Sequence, residues 1–382
     1  VTEPLVERMR GFGTTIFAEM SALAVRTGSI NLGQGFPDTD GPPGLLEAAC
    51  AAIRGGQNQY PPGPGVPALR EAVAAHQRRY YDLDFDPDTE VLVTAGATEA
   101  IAASVMALAG PGDEVVMFEP YYDSYAATVA LGGAQRRVVT LTRDGHGWTF
   151  DPDRLEAAIT PRTTAILLNT PHNPTGKVFD VDELVVIADL AIEHDLVVIA
   201  DEVYEHLSFD GRRHVPIATL PGMRERTITI GSAGKTFSVT GWKIGWITAP
   251  TGLVTASRTV KQFLTYVSGG PFQPAVAHAL EHEMAWVDGL RANLQSQRDL
   301  LCAGLADLGF DVVAPQATYF ATVDVHTDAL RFCRELPERA GVVAIPSSVF
   351  YDSTAGDGFV RFAFCKRPEV IAAALERLAT CR

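Results

Sequence analysis

From about residue 90 the chain alternates short runs of β-branched and other apolar residues with longer stretches whose apolar positions recur every three or four. "EVLVTAG" (90–96), "EVVMFEP" (114–120), "RRVVTL" (136–141), "TTAILLN" (163–169), "LVVIAD" (196–201), "RTITIG" (226–231) and "KIGWITA" (243–249) predict strands. Between them, "TEAIAASVMALA" (98–109), "RLEAAI" (154–159) and "VDELVVIADLAIEH" (181–194) predict helices, with Pro111-Gly112-Asp113 punctuating a passage from helix to strand. Such alternation implies an α/β sheet, mostly parallel and covered by helices on both faces. "GWKIGWITAP" follows "TITIGS" after a short connection, so that pair is expected to be antiparallel. Before residue 45 the chain reads as irregular and rich in Gly and Pro ("NLGQGFPDTDGPPG"). After about 285 it reads as helix, short strand, helix, with strands at 309–313, 318–324 and 358–364. The expected organisation is a large domain over 43–280 and a small α+β domain formed by 1–42 and 281–382.

With 382 residues and 47% hydrophobic content the chain is long enough for a large core. A net charge of −15 argues against nucleic acid or an acidic membrane as the main partner. Five scattered cysteines (Cys50, Cys302, Cys333, Cys365, Cys381) without a C-x-x-C pair fit a reducing compartment and no zinc framework. Glu3, Glu7, Arg8 and Arg10 interrupt the first thirty residues, so no secretory signal is expected, and no apolar run reaches spanning length. A cytoplasmic protein is the expectation.

In an open parallel sheet ligands sit beyond the carboxyl ends of the strands, so the polar residues there are the candidates. They are Ala97-Thr98, Tyr122, Asn173, Asp201 with Tyr204, Ser232 with Lys235, and Lys243. "GSAGKT" (231–236) ends like a nucleotide-binding loop, but that loop needs a glycine five residues before Gly234, where Thr229 stands. A phosphate still suits this region; a nucleotide does not. One chemistry uses all the candidates. A lysine such as Lys235 forms a Schiff base with an aldehyde, and an aspartate at a buried strand end needs a partner such as a protonated pyridine nitrogen. Ser232 and Lys243 can hold a phosphate, Thr98 opens a helix whose amides favour an anion, and Tyr204 and Asn173 can bond a ring hydroxyl. His278-Ala279-Leu280-Glu281-His282 fits an inverted zinc-protease pattern, but a third ligand is not evident and the reading is a polar helix face, with no metal expected.

"SAGKTFSVTGWKIGW", "TPHNPTGKV", "ADEVYEHLSFDG", "NLGQGFPD", "NQYPPGPG" and "VRFAF" together resemble the fold-type-I, class I/II aminotransferases that depend on pyridoxal 5'-phosphate. The likeness is nearest to the branch of kynurenine and glutamine transaminases and N-succinyldiaminopimelate aminotransferases. It implies an aspartate aminotransferase-like fold, with a mostly parallel seven-stranded sheet in the large domain. It also implies a homodimer moving amino groups between an L-amino acid and a 2-oxo acid by a ping-pong route. By that resemblance Lys235 bonds the cofactor and shuttles the proton, Asp201 pairs with the ring nitrogen, Tyr204 and Asn173 with the ring oxygen, and Tyr122 stacks on the ring. Ala97, Thr98, Ser232 and Lys243 hold the phosphate, with Tyr60 from the second subunit. Arg361 forks onto the substrate carboxylate, as arginine does better than lysine. Gly35 lets backbone approach the same carboxylate, and Phe17 and the second subunit's residue at position 266, a tyrosine, flank the substrate side chain. Mammalian kynurenine transaminases carry an aromatic residue where Thr98 stands, which weakens the case for kynurenine. No arginine for a second carboxylate is evident, against a strict aspartate aminotransferase. β-Elimination from cysteine S-conjugates, which needs the same carbanion, is the alternative reaction.

Overall fold

The computed structural model describes residues 5–13, 15–145 and 147–380; Glu3 and Cys381 lie outside them. The seven expected strands form one sheet: β1 (Val91–Thr94), β2 (Glu114–Glu119), β3 (Gln135–Thr140), β4 (Thr163–Asn169), β5 (Val197–Asp201), β6 (Thr227–Ser232) and β7 (Gly245–Thr248). Their spatial order is β1-β7-β6-β5-β4-β2-β3. β7 runs antiparallel to both neighbours, as its short connection from β6 requires, and the other adjacent pairs are parallel.

Because side chains alternate across a strand, each central strand feeds two cores. Val115 and Met117, Ala165 and Leu167, and Ile199 face one core, while Val116 and Phe118, Ile166 and Leu168, and Val198 and Ala200 face the other. Burial on both faces explains why these strands read as continuous apolar runs. β3 differs: Gln135, Arg136 and Arg137 are exposed, and charge on this edge strand discourages further pairing. The helix Val181–Glu193 starts on a capping box in which Asp180 and Glu183 satisfy each other's backbone amides.

A second sheet, antiparallel throughout, holds β8 (Asp311–Val313), β9 (Phe320–Asp324), β10 (Ile345–Pro346) and β11 (Phe359–Ala363) in the order β8-β9-β11-β10. The expectation that the chain is irregular before residue 45 is corrected in part. Residues Ile16–Thr27 form a helix that Thr15 caps by accepting from Ala18 N and that Gly28 ends at φ 63°. Its buried Met20, Leu23 and Ala24 are the helical period that the glycine-rich stretch after it obscured. Beyond it, Ile30–Asn31 pairs in parallel with Val342–Val343, which ties the first residues to the second sheet's side of the molecule. Among the described residues no helix is long and apolar enough to cross a membrane.

Candidate active site

Asn169, Asp201 and Ser232 end three adjacent strands, and Asn169 stands opposite Asp201 in register. They open onto a cavity of about 390 Å³, a usual size for a small-molecule site, closed on its far side by Phe320 and Arg361 from the second sheet. Phe17, Gly35, Ala97, Thr98, Tyr122, Asn173, Asp201, Tyr204, Ser232, Lys235, Lys243 and Arg361 all line it. Tyr60 and Tyr266 do not: they are 81% and 54% exposed, with ring centroids 5.6 Å apart.

One end of the cavity is built for close backbone approach. Helix Gly96–Leu108 begins directly after β1, and Gly96 has φ +73°. A Cβ on Gly245 would lie 2.7 Å from the Gly96 carbonyl carbon and 2.8 Å from Ala97 N, so this glycine lets β7 pass under the helix start. Lys243 sits at φ 55°, a strained conformation costing a non-glycine residue roughly 1–3 kcal/mol. That geometry brings its ammonium over the helix start, where a Cβ on Gly96 would lie 3.4 Å from Nζ. A lysine, the Ser232 hydroxyl and unpaired helix amides thus gather on one spot, a donor set suited to a phosphate.

In the middle stand the two titrating groups. Asp201 is buried, and burial pushes its carboxyl up to about 6, opposed by donation from Tyr125 Oη (2.5 Å) and Val203 N (3.4 Å) and by the charge of Lys235. Burial also draws the Lys235 amine down to about 8. Its Nζ donates to Tyr319 Oη at 2.9 Å, and Tyr319 donates onward to the Gly35 carbonyl at 2.8 Å, so the tyrosine's proton is committed and its lone pair orients the amine. Tyr204 packs edge-on to Tyr319, with ring centroids 5.3 Å apart, and burial raises its hydroxyl above the usual range.

At the other end Arg361 is 2% exposed, and burial draws it down to about 10. Its guanidinium lies 4.0 Å from the Phe320 ring centroid and donates to Asn173 Oδ1 and the Gly33 carbonyl, each at 3.0 Å. Nε is buried with no partner, a donor that a bound carboxylate would satisfy. Asn173 is itself fixed, its backbone N–H donating to Asn169 Oδ1 at 2.7 Å, while Asn169 Nδ2 donates to the Asp201 carbonyl at 2.8 Å.

Sequence reasoning missed Tyr125, Asn169 and Tyr319. Asn169 ends a predicted strand and was available to the strand-end argument. Tyr125 stands three residues after Tyr122 in "EPYYDSY", one helical turn on. Tyr319 stands directly before β9, the Phe320–Asp324 strand of the second sheet, and no local pattern reports that contact. On helix Phe272–His282 the rings of His278 and His282 are 4.7 Å apart, with Glu281 3.5 Å from His282.

The family described as aminotransferase class I and II matches residues 27–378. The probable N-succinyldiaminopimelate aminotransferase of Mycobacterium tuberculosis is 54% identical over 98% of each chain. A solved structure of the N-succinyldiaminopimelate aminotransferase from that organism superposes with a TM-score of 0.98, over 99% of this chain and 100% of the other. Kynurenine–oxoglutarate transaminase 3 of Mus musculus is 39% identical over 97% of this chain and 88% of its own. A single mutant of the aspartate aminotransferase of Thermus thermophilus, 34% identical over the whole of both chains, superposes with a TM-score of 0.92. Class I and II aminotransferases of this fold depend on pyridoxal phosphate. The match runs through both sheets and takes in nearly every side of the cavity, and the chain belongs to the class I and II aminotransferases.

Proposed function

We propose that this aminotransferase holds pyridoxal 5'-phosphate in the cavity described above and acts on an amino acid of the N-succinyldiaminopimelate type. The observation that carries the reading is the buried pair on one cavity: a lysine drawn down to about 8 beside an aspartate pushed up to about 6. The cofactor, when bound, supplies an aldehyde for an amine and an electron-poor ring that takes up charge from a carbanion. Ala97, Thr98, Ser232 and Lys243 would hold its phosphate and Asp201 its ring nitrogen. Tyr122 would cover the ring, and Tyr204 and Asn173 would bond its oxygen. Asn173 Oδ1 is taken by Arg361, and its Nδ2 has no protein acceptor among the described residues. Near neutral pH a usable fraction of Lys235 is the neutral amine, so Nζ can accept a proton from the substrate α-carbon and return it elsewhere. Arg361 holds the substrate carboxylate and thereby sets which α-bond faces Nζ.

The 54% identity to the M. tuberculosis protein supports that substrate type over the kynurenine of the 39% relative. The cations lining the cavity are Lys235, Lys243 and Arg361, and each already has a role. A substrate side chain would therefore meet Thr15, Phe17 and Gly35 rather than a second arginine. Exposed Tyr60, Phe263 and Tyr266 support a homodimer in which Tyr60 and Tyr266 complete the partner's site. The pairing of Ile30–Asn31 with Val342–Val343, and the break between helices Phe272–His282 and Met284–Asp307, support a small domain of 1–42 and 281–382 beside a large one of 43–280. We place the enzyme in the cytoplasm.

The purified protein should be yellow, and borohydride should fix a pyridoxyl group on Lys235 in a peptide map; a colourless protein that takes up no cofactor overturns the reading. A screen of amino donors against 2-oxo acids should rank N-succinyldiaminopimelate first. Faster release of pyruvate from cysteine S-conjugates than amino transfer would assign the chain to elimination instead.

A further inference from the structure

Past the strand that ends in Asp201, a second group of polar side chains converges where the proposed reaction has no use for it. His76, on helix Pro67–Tyr81, brings Nε2 to 2.7 Å from Nε2 of His206. Glu205 Oε2 lies 4.0 Å from the same His206 atom, and the three residues' ligand atoms all fall within 4.8 Å of one another. His76 and Glu205 are buried, and His206 keeps 11% of its side chain exposed. Nδ1 of His76 is buried without a partner, so its proton belongs on Nε2, pointing at the lone pair of His206. The two imidazole nitrogens therefore share one proton, with the carboxylate oxygen 4.0 Å from one of them.

We propose that His76, His206 and Glu205 form a site for a zinc-like divalent cation, which clamps helix Pro67–Tyr81 to the segment that follows Asp201 and Tyr204. The cation takes the place of the proton between the two Nε2 atoms, and that proton moves to Nδ1 of His76. Glu205 Oε2 is the third ligand, and Tyr81, whose hydroxyl donates to that oxygen at 2.6 Å, orients the carboxylate. Tetrahedral coordination with bonds of about 2.0 Å needs nitrogens about 3.3 Å apart, so the rings must open by about half an ångström. His206, at the partly exposed edge, is the ring with room to move, and water fills the fourth position. The protonated Nδ1 of His76 then lacks an acceptor, which weakens the affinity. Imidazole with one carboxylate selects Zn²⁺, Co²⁺ or Ni²⁺ over Mg²⁺ and Ca²⁺.

The test titrates ZnCl₂ into chelator-treated holoenzyme near neutral pH, by calorimetry and thermal denaturation. Expected are one Zn²⁺ per chain, an upward shift in Tm, and no effect of Mg²⁺. His76→Ala should weaken binding at least about tenfold, and the milder His206→Gln, at the partly exposed ring, should do the same if His76→Ala does not fold. The double variant His278→Ala/His282→Ala should bind as the parent does. Absence of binding at about 100 µM Zn²⁺, or binding lost in that double variant and kept in His206→Gln, overturns the proposal.

Discussion

Asp201 and Glu205 stand four residues apart, are 4% and 6% exposed, and are both pushed up by burial, to about 6 and about 7. Their surroundings part company beyond that. Asp201 opens onto the cavity, receives the Tyr125 hydroxyl and the Val203 amide, and lies within the field of Lys235. Glu205 turns away into His76, His206 and Tyr81, where Tyr81 and His214 favour its charge and Glu202 opposes it. The cost of burying a carboxylate is similar in both places. A perturbed carboxylate is therefore not by itself a mark of the reacting site; the cavity and the lysine on it are what separate the two.

The strongest way to break this contrast is to remove each carboxylate in turn. Asp201→Ala should lower kcat/KM for transamination at least about a thousandfold, because Asp201 is the acid proposed to answer the ring cation, and Asp123, which also lines the cavity, stands on a different element, helix Asp123–Gly132. Glu205→Gln should stay within about threefold of the parent. Comparable losses in both variants would mean that the end of β5 and the segment after it act as one unit. Arg361→Lys comes next: the ammonium cannot reproduce a planar fork, and kcat/KM should fall roughly 10–100-fold, chiefly through KM. An unchanged KM would remove Arg361 from substrate binding.

A smaller effect sharpens the account of Asp201. The Tyr125 hydroxyl donates to its carboxylate and so favours the charged form. Tyr125→Phe should therefore raise the Asp201 pKa, and the acid limb of kcat/KM should move to higher pH by roughly half to one unit. A limb that stays put or moves down would show that this hydrogen bond does not tune the site.

The difference between these two carboxylates is also where sequence reading stopped. Six of the seven strands were legible because both their faces are buried, the exposed edge strand β3 being the exception, and β7's direction followed from a short connection. Asp201, Ser232 and Lys235 were legible because strand ends in such sheets gather ligands. Lys235 as a Schiff-base former followed from its chemistry at a strand end, while its proton-shuttle role and the role of Arg361 came from resemblance, since nothing in "VRFAF" says which strand faces which cavity. Tyr319 and His76 meet their partners across 84 and 130 residues of chain, contacts that only the packing of separate elements creates. The helix Ile16–Thr27 is hard to read for a different reason: a strong Gly/Pro signal follows it, and an apolar stripe of only Met20, Leu23 and Ala24 is weak beside that signal.

The smallest expected effect concerns stability. Glu205 has an ordinary value of 4.5 and a folded one of about 7. Between those values the unfolded chain has lost this proton while the folded chain keeps it. Unfolding then releases a proton, so stability falls as pH rises through the window and levels off above it. The penalty at the plateau is about 3 kcal/mol at most, before relaxation of the surrounding side chains reduces it. Glu205→Gln keeps an acceptor for the Tyr81 hydroxyl and has nothing to ionise. With chelator present to remove any bound cation, parent and variant should denature at the same urea midpoint near pH 5. Near pH 8 the variant's midpoint should lie higher, because only the parent must then either carry a buried charge or hold a proton against the solvent. A variant less stable than the parent at both pH values would mean that the Glu205 carboxylate is stabilised in its charged form, as Asp201 is proposed to be once its cation is bound.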